Sequence, residues 1–172
     1  MTTTHVERLR LQYRPDDLFA LVSDIRLYPE FIKQISAIHI TGETRRGASR
    51  ILEAEARVKY KFVRERFTTR VSLDPDARLI DVTYLSGPFN DLANHWRFTE
   101  LSDGSTLVDF WIRYSLRNRM LQMLVDANRT RAVTYLIRAF EIEAGRRFES
   151  IGRAHYDLRA EPAMTAPPNG PG

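Results

Sequence analysis

The stretch Ser105–Phe140, "STLVDFWIRYSLRNRMLQMLVDANRTRAVTYLIRAF", changes its hydrophobic period halfway along. Up to Leu116, Val108, Phe110, Ile112 and Tyr114 alternate with Asp109, Trp111 and Arg113, so the apolar set falls on one face of a strand and the other set faces out. Beyond Leu116, Leu121, Leu124, Val125, Ala132, Tyr135, Leu136, Ala139 and Phe140 recur at helical spacings, and no proline intervenes before Phe148. The spacing predicts one long helix of about 30 residues, entered directly from a strand.

Toward the N-terminus, Ile35 to Leu116 keeps a period of mostly two, punctuated by "TGETRRG", "LDPDAR", "SGP" and "SDGS". This predicts an antiparallel meander with strands near 34–42, 47–59, 62–73, 78–85, 90–100 and 105–116. The turn at "KYKF" contains neither glycine nor proline, so one long bent strand is the alternative there. "HVERLRLQY" is a weak strand pattern. Pro15 opens a helix with Asp16 and Asp17 in its first turn and Leu18, Phe19, Leu21 and Val22 as its buried stripe. "SDIRLYPEF" follows as a short helix or turn broken at Tyr28-Pro29. Residues 1–153 form the predicted domain, and residues 154–172, ending in "RAEPAMTAPPNGPG", are expected to be a disordered tail. One helix, a run of strands and a terminal helix make an α+β domain whose curved sheet wraps that helix.

At 172 residues, 43% hydrophobic and 28% charged, the chain has room for one full core. No apolar run approaches the roughly 18 residues of a membrane helix, and "MTTTHVERLRLQYRPDD" has no apolar segment of the kind a secretory signal requires. A cytoplasmic location is the expectation, with peripheral contact at the inner face of the membrane as an addition. The absence of cysteine excludes thiol nucleophiles, disulfides and cysteine-ligated metals. The formal charge of +4 is carried almost wholly by arginine, since Lys33, Lys59 and Lys61 are the only lysines. Arginine suits phosphate or anionic-lipid surfaces, although a modest charge also fits an ordinary solvated surface.

The strand phases say what the sheet presents to the helix. Leu52, Ala54, Ala56, Val58 and Tyr60 share one face, with Glu53, Glu55 and Arg57 on the other. In "YLSGPFNDLANHWRF" the matching set is Leu92, Asn94, Trp96 and Phe98. Small residues among large aromatics, with one amide, fit a pocket for an apolar ligand; the residues by themselves favour the other reading, alanines made small by a closely packed helix, since most alternating strands are simply core. Glu65 is in phase with Val63, Phe67 and Val71, at a wet cavity mouth, at an edge position, or paired with an arginine of the terminal helix.

Reactive constellations are missing. His5, His39, His95 and His155 are scattered, and His95, opposite in phase to Trp96, reads as a surface residue. No nucleophile elbow, phosphate loop or dinucleotide fingerprint occurs. No catalytic residue, metal or catalytic cofactor is assigned, and binding is the better reading.

"VSDIRLYPEF", "FTTRVSLDP", "GPFNDLANHWRF" and the closing aromatic strand with its long helix together resemble the coenzyme Q-binding proteins of the START-like, polyketide-cyclase superfamily, over about residues 5 to 150. The resemblance implies a helix-grip fold, a seven-stranded antiparallel sheet around the terminal helix, and a hydrophobic tunnel holding ubiquinone as a bound ligand. It further implies a carrier or chaperone supporting respiration and ubiquinone synthesis. Tyr28, Pro29 and Phe31 match the family's first hallmark, and Gly87, Pro88, Phe89, Leu92, Trp96 and Phe98 its second. The chain departs after Phe31, reading "IKQIS" where many relatives continue Pro-Trp-Cys.

The ligand set that follows is Tyr28, Phe31, Leu52, Ala54, Ala56, Phe67, Phe89, Leu92, Asn94, Trp96, Phe98, Phe110 and Leu124, with Gly87-Pro88 at the rim and Asn94 on a quinone carbonyl or a bound water. A polyprenyl quinone is the expected partner. Arg117, Arg119, Arg129, Arg131, Arg138, Arg146 and Arg147 form either a contact surface for anionic lipid or a solvated face. Two other readings stand beside this one: a polyketide cyclase or aromatase using Glu65, Tyr60 or Tyr114, and a regulator binding ribosomal subunits, as a bacterial branch of the same family is described. DNA is not an expected partner.

Overall fold

Proline at the first helical position leaves no amide unsatisfied there and presets φ, so α1 (Pro15–Ser23) starts where the sequence placed it and buries Leu18, Leu21 and Val22. This computed structural model describes residues 1–165. The strands are β1 (Thr3–Leu11), β2 (Ile35–Arg46), β3 (Ser49–Tyr60), β4 (Val63–Asp74), β5 (Leu79–Ser86), β6 (Phe89–Glu100) and β7 (Thr106–Leu116). They form one seven-stranded antiparallel sheet in the order β1-β7-β6-β5-β4-β3-β2. A short α2 (Tyr28–Phe31) precedes β2, and α3 (Arg119–Arg147) ends the meander.

Curvature comes from irregular registers. Pairing slips between Ile35 and Ala37, between Thr68 and Thr69 and between Phe89 and Asp91, and each slip bends and twists its strand. The concave face thereby closes around α3. Asn118 caps that helix, its Oδ1 accepting the Leu121 amide at 3.0 Å. Gln122 Oε1 accepts the Leu116 amide at 2.7 Å and ties the helix start to the end of β7.

The ambiguous "KYKF" is a tight turn rather than a bent strand: Tyr60 pairs with Val63, leaving Lys61-Phe62 as a two-residue loop. Lys61 there has φ 54, the left-handed conformation such hairpin loops require of their first residue. Gly87 sits at φ 139, and a Cβ at this position would lie 2.6 Å from that of Phe67, so the bend before β6 accepts glycine alone.

Two residues expected on the outer surface are buried. Asp109 is fully enclosed between Arg8 (2.6 Å) and Arg97 (3.1 Å), whose long side chains cover the convex face. His95 stacks on Trp111 with ring centroids 5.8 Å apart and bonds to Asp81 at 2.5 Å.

Part of the segment expected to be a disordered tail contacts the domain. Residues Leu158–Ala160 and Pro162–Thr165 form 3-10 turns, and buried Glu161 accepts the Ser102 amide at 3.1 Å. Arg10 holds the chain on the way there, bonding the Arg153 carbonyl at 2.7 Å and lying over the Tyr156 ring. Residues 166–172 lie outside the described residues.

Candidate ligand cavity

Between the concave face and α3 lies an apolar cavity of two adjoining lobes that share Phe67, Leu92 and Ile112. The hairpin-end lobe, about 280 Å³, is walled by Val58, Tyr60, Val63 and Glu65 of the β3–β4 hairpin, by Pro88 and Phe89, and by Leu121, Val125, Arg129, Ala132 and Val133 of α3. The Trp96 lobe, about 230 Å³, is walled by Tyr28, Ala54, Ala56, Asn94, Trp96, Phe110, Leu136 and Phe140 among others. A larger groove of about 620 Å³ runs outside, along β1 and α3, but Glu7, Arg138 and Glu141 line it and it lacks this enclosure by apolar residues.

The two inward alanines are therefore small beside open space. They face Tyr28, Trp96 and Phe140 across the Trp96 lobe. Trp96 is the rigid hub of that lobe, 4.7 Å from Phe110 and 5.5 Å from Phe140, ring centroid to ring centroid.

Of the thirteen residues expected to form the ligand set, Tyr28, Ala54, Ala56, Phe67, Phe89, Leu92, Asn94, Trp96 and Phe110 line one lobe or both. Four do not. Phe98 stands beyond Trp96 against Phe19 of α1, at 6.2 Å, and Leu52 is enclosed in the same core. Phe31 turns to Tyr28, Phe140 and Arg147. On α3 the cavity takes the ridge Leu121, Val125, Arg129 and Val133, so Leu124 falls beside it. Pro88 and Glu65 line the hairpin-end lobe, and Gly87 is not among its lining residues.

Asn94 is already committed on both sides. Its Nδ2 donates to the Trp111 carbonyl at 2.8 Å, and its Oδ1 accepts the Trp96 indole N–H at 2.9 Å. The amide thus fixes the Trp96 ring. It retains one N–H for anything in the cavity.

Two tyrosines at the wall, Tyr114 and Tyr28, have raised pKa values. Burial, reinforced by the Asp126 carboxylate that accepts its hydroxyl at 2.6 Å, pushes the Tyr114 phenol up to about 12. Burial, with the Asp24 charge adding to it, drives the Tyr28 phenol far above its usual range, and its hydroxyl donates to the Val22 carbonyl. Among the described residues, no group of three or more His, Cys, Asp or Glu is placed to hold a metal ion, and no helix is long and apolar enough to cross a membrane.

Sequence and structure comparisons agree with this architecture. A family model described as "Polyketide cyclase / dehydrase and lipid transport" matches residues 11–141. The ribosome association toxin RatA of Rickettsia prowazekii is 33% identical over 137 residues, which cover 78% of this chain and 90% of that protein. The solution structure of the 18 kDa protein CC1736 from Caulobacter crescentus is 40% identical, covers 84% of this chain and 97% of its own, and superposes with a TM-score of 0.73. An aromatase/cyclase from Streptomyces, ZhuI, shares the fold at a TM-score of 0.69 and 17% identity, covering 86% of this chain and 96% of its own.

Proposed function

The chain belongs to the polyketide cyclase / dehydrase and lipid transport family, and from that premise we propose that it is a non-catalytic carrier of a polyprenyl quinone, held between the sheet and α3. The observation that supports this reading is the two-lobed cavity with Ala54 and Ala56 opposite a ring of aromatics. Each methylene moved from water into such a space contributes about 0.8 kcal/mol, so an isoprenoid tail binds without directional contacts. The head group then has to supply selectivity.

The groups that a cyclase reading would use are differently employed. Tyr114 has its hydroxyl engaged by Asp126 at 2.6 Å, and Glu65 and Tyr60 line the same lobe with no nucleophile or histidine among its lining residues.

A second reading has an observation of its own. The Rickettsia prowazekii relative is named for ribosome association, and Arg117, Arg119, Arg131 and Arg138 are exposed on this chain. A surface of this kind would associate with ribosomal particles in a salt-dependent way, and it does not compete with the interior for residues.

Titration of the Trp111→Phe variant, which leaves Trp96 as the single tryptophan, with decylubiquinone tests the first reading through its emission. Saturable quenching at one equivalent is expected. No quenching, together with salt-sensitive co-sedimentation with ribosomal subunits, would replace the carrier by the second reading.

A further inference from the structure

The inward ridge of α3 reads Leu121, Val125, Arg129, Val133: an arginine occupies a position that the helical repeat assigns to a hydrophobe. Arg129 lines the hairpin-end lobe, and its Nε is buried with no hydrogen-bond acceptor among the described residues. A buried donor without an acceptor costs free energy that a merely structural side chain at this site would avoid.

One carboxylate interacts with the Arg129 charge and a second lines the same lobe. Asp126, three residues earlier on α3, accepts hydrogen bonds from Thr3 Oγ1 (2.9 Å), Tyr114 Oη (2.6 Å) and Gln122 Nε2 (3.1 Å). Burial alone would raise the Asp126 carboxyl, but these donors and the Arg129 charge outweigh it and hold the group below its usual range. Glu65 lines the same lobe from β4 without forming an ion pair with Arg129. The Arg129 charge is thus already balanced by the Asp126 carboxylate, which disfavours a fatty-acid anion while leaving the unpaired Nε–H free to bond a neutral oxygen acceptor.

We infer that Arg129 anchors the polar head of the ligand, its Nε–H donating to a ketone or quinone carbonyl in the hairpin-end lobe, with the tail lying along α3 into the Trp96 lobe. This rests on the carrier reading and deepens it: the head is neutral and oxygen-bearing, and it is read by Arg129 rather than by Asn94.

The test is calorimetric titration of wild type, Arg129→Met and Arg129→Lys with decylubiquinone, n-decylbenzene and hexadecanoate. One charge-assisted hydrogen bond corresponds to a loss of about tenfold or more in decylubiquinone affinity for Arg129→Met, with n-decylbenzene unchanged. Arg129→Lys, which keeps the charge but withdraws the Nε donor, should weaken decylubiquinone as well. The melting temperature of Arg129→Met should stay close to that of wild type, because removal of an unpaired buried donor offsets the loss of the charge beside Asp126. Decylubiquinone bound by both variants within twofold of wild type overturns the anchor while leaving the carrier reading intact. Hexadecanoate bound by wild type more tightly than decylubiquinone overturns the neutral head. Binding of none of the three by wild type defeats the carrier reading itself, and the anchor with it.

Discussion

Replacing Asn94 by leucine separates two roles that its position allows. The side chain accepts from Trp96 Nε1 at 2.9 Å and donates to the Trp111 carbonyl at 2.8 Å. Leucine removes both bonds and strands the indole N–H of a residue that is only 6% exposed. Each lost bond is worth about 1 kcal/mol and the stranded donor adds a further penalty, while the new apolar atoms recover part of it, so the net loss is about 2–3 kcal/mol. For a chain of this length that lowers Tm by about 4–12 °C. Trp96→Phe in the same background removes the stranded donor, so the double variant should lose less than the two single variants added together. Urea unfolding of all four proteins measures this. An Asn94→Leu variant as stable as wild type yet unable to bind decylubiquinone would refute the reasoning and return Asn94 to the head group.

Ala56→Phe projects a ring into the Trp96 lobe; ligand affinity should fall more than tenfold while stability, by urea unfolding, changes by no more than about 1 kcal/mol, because open space absorbs the ring. Asp109→Ala leaves Arg8 and Arg97 facing a fully buried gap and should cost about 3–5 kcal/mol in the same assay. For Asp103, burial opposes ionisation, but Ser105, Arg10 and the Arg153 amide hold the carboxyl well below its usual range, as the donors around Asp126 do there. A depressed folded pKa gives stability that is complete above the unfolded value near 4 and is lost as pH falls through the folded value. The urea midpoint should therefore drop as pH is lowered from about 5 toward 2, less steeply in Asp103→Asn; an unchanged slope would remove Asp103 from the account.

Strand phase made most of this structure legible, because a period of two assigns each side chain to a face, and the inward sets on β3, β6 and β7 lie where the alternation put them. Phase does not say what covers a face. Asp109 and His95 have the outward phase, yet arginine stems and the Trp111 ring bury them. Nor does phase give depth along a strand. Leu52 and Phe98 share a face with Ala54 and Trp96 but lie in the closed core, where α1 sets Phe19 against Phe98. On α3, Leu121 is compatible with a ridge through Leu124 or through Val125, and packing selects the latter. Sequence alone leaves Arg129 among the arginines of a lipid-contact surface or a solvated face, because the buried ridge of α3 is fixed only by packing. The spacing from Val125 to Val133 was the signal that could have singled it out.

The central claim is that the space between the sheet and α3 holds a polyprenyl quinone in the cell. Protein purified from its native host, extracted with organic solvent and analysed by mass spectrometry beside the equally stable Ala56→Phe variant, tests that claim directly. The account predicts about one quinone per wild-type chain and little in the variant. An extract without quinone, or one in which the variant retains as much as wild type, would contradict it.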